Sequence, residues 1–178
     1  IMIGGAFVGV YFIYLMQLAN TSLNPQLLLI LSLIVAGVFG ALLSLLHAFA
    51  AINLKADQTI SGTAINMLAP GLGLFLAKLI FNGNSSVPFS NTFRIHEIPV
   101  LSQIPILGPI LFKGAYITTY LGIIILILSV IFLNKTRAGL RLRACGENPQ
   151  AADAAGVSVY KYRYIGVLLS GFLGGMGG

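Results

Sequence analysis

Charge is what this sequence has least of. Aspartate and glutamate together number four in 178 residues, and charged residues of both signs make up 8%, against about 25% in an ordinary soluble domain. That deficit excludes a soluble globular core of this size. With 57% hydrophobic residues and a mean hydropathy of +0.96, the chain reads as an integral membrane protein. There is one cysteine, Cys145, which can close no internal disulfide and has no partner at metal-site spacing. No cluster of His, Asp, Glu and Ser suggests an embedded enzyme, and His96 and Glu97 have no partner at ligand spacing.

The apolar stretches divide the chain into expected spans. Residues 1–19 form a first segment, 27–54 a second, 59–81 a third and 114–133 the cleanest, 20 residues without a charge. The second is 28 residues long, about 42 Å as a helix. A hydrocarbon core is about 30 Å thick, so this helix is expected to tilt, break or emerge. Pro70-Gly71-Leu72-Gly73 is expected to break the third. Polar turns are expected at 20–26 and 55–58, and a long loop with Pro88, Pro99, Pro105 and Pro109 at 82–113. Both ends read as cut. Ile1 opens inside an apolar run, and Tyr164–Gly178 is 15 residues, short of the roughly 20 a span requires. The expected architecture is an all-α, polytopic helical bundle. It forms a single partial transmembrane domain over 1–178, with about four spans and a truncated fifth.

Positive charge is concentrated in 134–163, where Lys135, Arg137, Arg141, Arg143, Lys161 and Arg163 face Glu147 and Asp153. Four of the six net charges therefore lie in one loop, which points to topology rather than to nucleic acid. With that loop in the cytoplasm, alternation puts Lys55 inside too and the 82–113 loop outside. Seven basic residues are then inside and three, Lys78, Arg94 and Lys113, outside or near the outer end, as the positive-inside rule expects. Small residues four apart, Gly5 and Gly9, Ala36 and Gly40, Gly171 and Gly175, Gly174 and Gly178, would allow close helix approach in lipid.

Within the basic loop the residues delimit a short helix. Asn148 suits the N-cap and Pro149 the first helical position. Gln150–Ala155 are mostly good helix formers, and Gly156 suits the C-terminal cap. Glu147 sits where the dipole favours an anion. Two turns of helix are not stable alone. The small face of Ala151, Ala152 and Ala155 suits insertion into a groove on a soluble partner better than burial among headgroups.

Gln150-Ala151-Ala152 followed by Gly156 resembles the E-A-A-x-x-x-G coupling motif of ABC importer permeases, with Gln in place of Glu. That departure puts any salt bridge from position 150 in doubt and leaves the docking geometry untouched. The string Thr136–Pro149 and Ser170–Gly175 resemble the permeases serving branched-chain amino acids, ribose and nucleosides. Gln58–Asn66 is most similar to the sugar and nucleoside branch. The resemblance implies a plasma-membrane permease subunit pairing with a second permease subunit, two cytoplasmic ATPase subunits and an extracytoplasmic binding protein. It implies that Asn148, Pro149, Gln150, Ala151, Ala152, Ala155 and Gly156 meet the ATPase. It implies no cofactor in this chain, ATP and Mg being bound by the ATPase; consistent with this, the sequence has no Walker phosphate loop.

A second constellation lies in the third segment. Thr59, Thr63 and Asn66 share one helical face, Ser61 is nearby, and Pro70 cannot donate to the Asn66 carbonyl. Polar groups at that depth face protein or a water-filled cavity, so this set is a candidate lining for neutral, hydrogen-bonding solutes such as nucleosides or simple sugars. Helix–helix hydrogen bonding is the alternative role. His47 is expected to be packed and hydrogen-bonded. An ion-coupled transporter or channel is the alternative class, but the spans offer it only Lys78 and His47.

Overall fold

A computed structural model describes residues 1–19, 24–84 and 116–178. Every regular element among the described residues is helical, as expected. In chain order these are α1 (Met2–Leu18), α2 (Pro25–Ala48), α3 (Gln58–Ile80), α4 (Ile117–Lys135), α5 (Arg137–Glu147), α6 (Pro149–Ala154) and α7 (Val159–Met176). Among the described residues three stretches are long and apolar enough to cross a membrane, Pro25–Asn53, Gln58–Ile80 and Ile117–Lys135, and Met2–Leu18 is apolar but shorter. The expected 82–113 loop, beyond Asn84, lies outside the described residues, as do residues 20–23 of the first turn.

The chain forms two compact units, residues 1–89 with 141–178, and residues 90–140. In the first, α2 is the central helix and packs most extensively on α7 and then on α1. Glycines make this possible. A Cβ at Gly40 would lie 2.7 Å from the Gly175 Cα, and one at Gly5 2.8 Å from the same atom. Gly9 faces Ala36 at ordinary contact distance. Three of the four small-residue pairs thus sit at helix crossings, where backbones meet and dispersion replaces the missing hydrophobic drive. The buried hydroxyls of Ser32 and Ser44 donate to the carbonyls of Leu29 and Ala41, at 2.7 and 2.8 Å, so neither is left unpaired in an apolar crossing.

Far along α1, Tyr14 meets the edge of Phe81, at the end of α3, with ring centroids 4.9 Å apart. Tyr11 approaches the same ring at 6.4 Å. Aromatic rings of this kind are favoured where a span meets the interface.

Two expectations change and one becomes specific. α3 runs unbroken through Pro70, since proline removes one backbone bond and the apolar surroundings enforce the rest. The long second segment does not stay α-helical. It passes into a π-helical turn, Phe49–Asn53, in which the Leu54 amide reaches back to the Phe49 carbonyl at 3.3 Å. Finally, 134–163 is not a loop with one short helix in it. Arg137–Glu147 is helical, and α7 begins at Val159 rather than Tyr164. Arg, Leu and Ala favour that helix, and Thr136 starts it by accepting from the Gly139 amide at 3.1 Å. Gly139 is required by the tight corner after α4, because a Cβ there would lie 2.7 Å from the Leu133 Cα.

Candidate functional site

The short helix α6 forms as its residues dictate. The Asn148 side chain accepts from the Ala151 amide at 3.1 Å and Pro149 occupies the first turn. At the other end Gly156 takes φ +78°. Its amide donates to the Asp153 carbonyl at 2.9 Å, and the Val157 amide donates to the Ala152 carbonyl at 3.0 Å. These two bonds are a Schellman motif, which satisfies the last carbonyls and demands the left-handed region where glycine is at no disadvantage.

The alanines do not share one role. Ala152 is buried, 6% exposed, whereas Gln150, Ala151 and Ala155 are exposed; α6 as a whole packs on α7. The expected three-alanine face is therefore corrected. A helix of this length presents one side inward to hold itself, leaving Ala151 and Ala155 outward. Glu147 closes α5, with its carboxylate 4.0 Å from Arg143 in an exposed pair of little energetic weight.

The set in α3 also divides. Thr59, Thr63 and Asn66 are exposed along one face. The Thr63 hydroxyl donates to its own helix, at 3.0 Å to the Thr59 carbonyl and 2.9 Å to that of Ile60. Its lone pairs remain available to accept. Ser61 lies on the other side of α3, with its Oγ 2.9 Å from His47 Nδ1 on α2. It belongs to the α2–α3 contact rather than to the threonine face, and His47 is hydrogen-bonded as expected. Asp57 starts α3 by accepting from the Thr59 amide at 2.7 Å. Bonds from the Thr59 and Ile60 amides hold its carboxyl below the usual carboxylate value.

Asn53, Tyr160 and Tyr164, which nothing in the sequence brings together, meet just beyond α2. The Tyr160 and Tyr164 hydroxyls both donate to Asn53 Oδ1, the latter at 2.6 Å. The tyrosines are one turn apart on α7 with ring centroids 5.3 Å apart. This contact puts the end of α2 and the start of α7 at the same end of the unit, as alternation of spans requires. Arg141 of α5 donates to the Tyr162 hydroxyl at 3.3 Å, which favours its charged form. Beside these contacts a half-open cleft of about 440 Å³ is lined by residues including His47, Gln58, Cys145, Tyr162 and Arg163. The i, i+4 tyrosines were the available signal in the sequence, but nothing local pairs them with a residue more than a hundred positions away.

Comparison with known proteins gives this arrangement a family. The model of the branched-chain amino acid transport system permease component matches residues 1–178. The chain is 47% identical over 178 residues to the guanosine ABC transporter permease protein NupQ of Bacillus subtilis, covering all of this chain and 54% of that protein. It is 44% identical over 178 residues to the nucleoside ABC transporter permease protein NupC of Lactococcus lactis, covering all of this chain and 55% of that protein. The chain thus spans about half the length of the curated relatives it matches. No solved structure matches it. Apolar helices long enough to cross a bilayer, a capped short helix in a basic segment and a family match along the whole chain agree: this is a multi-pass membrane protein belonging to the branched-chain amino acid transport system permease family.

Proposed function

We propose that this chain is part of the permease subunit of an ABC importer for nucleosides. It contributes to the translocation pathway and takes its drive from a cytoplasmic ATPase that docks on α6. The observation that carries the substrate class is similarity along all 178 residues to two permeases named for guanosine and nucleosides. The exposed Thr59, Thr63 and Asn66 face is chemically suited to that cargo. Hydroxyls and an amide can exchange hydrogen bonds with ribose and base edges without a charge, and polar groups within a span are retained where they meet protein or water.

The docking reading rests on α6. Its ends are capped from within, Ala152 anchors it inward, and Ala151, Ala155 and Gly156 offer a small, shallow outer surface. Residues of that size let another protein's backbone approach closely. Hydrolysis of ATP is assigned to the partner, together with Mg. A second permease subunit and an extracytoplasmic binding protein complete the assembly.

The test is uptake by the full-length transporter, reconstituted with its ATPase and binding protein, supplied with labelled guanosine, uridine, glucose or leucine. ATP-dependent guanosine or uridine uptake is the expected result. Uptake of glucose or leucine alone would overturn the substrate class, and uptake driven by an ion gradient without ATP would overturn the ABC assignment.

A further inference from the structure

The contact between Asn53 and the two tyrosines has a mechanical consequence, and it rests on the docking reading of α6. α6 is joined to α7 by the four residues 155–158, the two helices are in contact, and the Schellman closure fixes the exit of the chain. A push on α6 is therefore delivered to the first turns of α7. Those turns carry Tyr160 and Tyr164, and both hydroxyls end on one amide oxygen, Asn53 Oδ1. A carbonyl oxygen has two lone pairs, so the pair saturates it.

Asn53 is the last residue of the π-helical turn. A π turn closes its hydrogen bonds one residue further along than an α-helix does and is found frequently at functional sites. Six residues before it, His47 is bonded to Ser61 of α3, on the helix whose opposite face carries Thr59, Thr63 and Asn66. Deeper in the unit, Gly40 and Gly175 hold α2 and α7 backbone to backbone. The two helices are thus pinned at one crossing and tied at one end, with the half-open cleft beside that end.

We infer that Asn53 is a positioning residue through which movement of the loop helix reaches α2 and α3. Tyr160 and Tyr164 deliver the force, the π turn yields, and His47 with Ser61 passes the shift to the helix bearing the polar face. The tie is not needed for the ATPase to bind. It is needed for binding and hydrolysis to move substrate.

The experiment uses the full-length transporter reconstituted with its ATPase and binding protein, comparing wild type, the double variant Tyr160→Phe/Tyr164→Phe, Asn53→Leu, Asn53→Asp and Ala155→Trp. Substrate moved per ATP hydrolysed is measured beside ATPase association. The phenylalanine pair removes only two hydroxyls, so its fold and its association with the ATPase are expected to persist. Transport per ATP is expected to fall about tenfold, within the usual range of site-to-site coupling. Asn53→Leu should behave alike, and Asn53→Asp, which keeps the acceptor, should restore most of the ratio. An unchanged ratio in the phenylalanine pair overturns the tie. So does loss of ATPase association in that pair, which would make the contact a support for α6 and not a relay. Ala155→Trp separates the two readings. Undiminished association in that variant sinks docking at α6, whereas lost association with an unchanged ratio in the phenylalanine pair sinks the tie alone.

Discussion

Gly40 and Gly175 touch through their backbones: a Cβ on Gly175 would lie 2.9 Å from the Gly40 Cα, and one on Gly40 would lie 2.7 Å from the Gly175 Cα. Neither obstruction is a flexible side chain, so a substitution must part the helices. Gly40→Leu or Gly175→Leu is expected to destabilise the protein by about 1–3 kcal/mol, the usual cost of overpacking. Gly71 has nothing within 4 Å of an added Cβ, and Gly71→Ala is expected to change stability by no more than ~1 kcal/mol. Thermal unfolding of the full-length protein in detergent measures the contrast, and equal effects at Gly40 and Gly71 would refute it.

The caps of α6 make a separate prediction. Asn148→Ala removes the side-chain acceptor of the Ala151 amide and is expected to cost the helix about 1 kcal/mol. Gly156→Ala forces a side chain into φ +78° and is expected to cost at least as much as the ~1 kcal/mol of an incompatible backbone substitution. Hydrogen exchange of amides 151–157 should quicken in both variants, with the membrane helices unchanged. Unaltered protection there would show that tertiary contact alone holds the helix.

Burial separates the alanines. Ala152→Leu places a larger side chain where only 6% of the residue is exposed, and it is expected to loosen the seat of α6 at a cost of about 1–3 kcal/mol. Ala151→Leu, on the exposed side, is expected to leave stability within about 0.5 kcal/mol. Comparable destabilisation by both would contradict the orientation of the helix.

Asp57 sets a pH dependence at the start of α3. Its folded value lies below the ordinary 3.8 because the Thr59 and Ile60 amides bond to the carboxylate. The stabilisation is therefore complete at neutral pH and is lost as pH falls through that lowered value. Exchange at Thr59 and Ile60, corrected for intrinsic rates, is expected to show constant protection between about pH 7 and pH 5 and a loss in stronger acid. Asp57→Asn, which caps without titrating, should abolish the acid loss. Its persistence in that variant would assign the effect to another group.

The parts legible in the sequence were those governed by neighbours in the chain. Asn148, Pro149 and Gly156 announced α6 because capping is local, and the glycine spacing announced the crossings because close approach needs small residues on one face. Lys55 and the basic segment announced a shared side through charge counting. Ser61 is near Thr59 in sequence but not on its face: two residues is about 200° around a helix, which turns it to α2 and His47. The inward turn of Ala152 and the bond from Tyr164 to Asn53 depend on how helices distant in sequence are juxtaposed. Arg137–Glu147 looked like loop because two glycines and many charges interrupt it, yet Arg, Leu and Ala outweighed them.

Contact between the outer side of α6 and the ATPase is tested by site-specific photo-crosslinking in the assembled full-length transporter. A photoreactive residue at Ala151 or Ala155 is expected to capture the ATPase subunit, and one at Thr63 on α3 is expected not to. Capture from Thr63 with none from Ala151 or Ala155 would place the ATPase elsewhere than on α6.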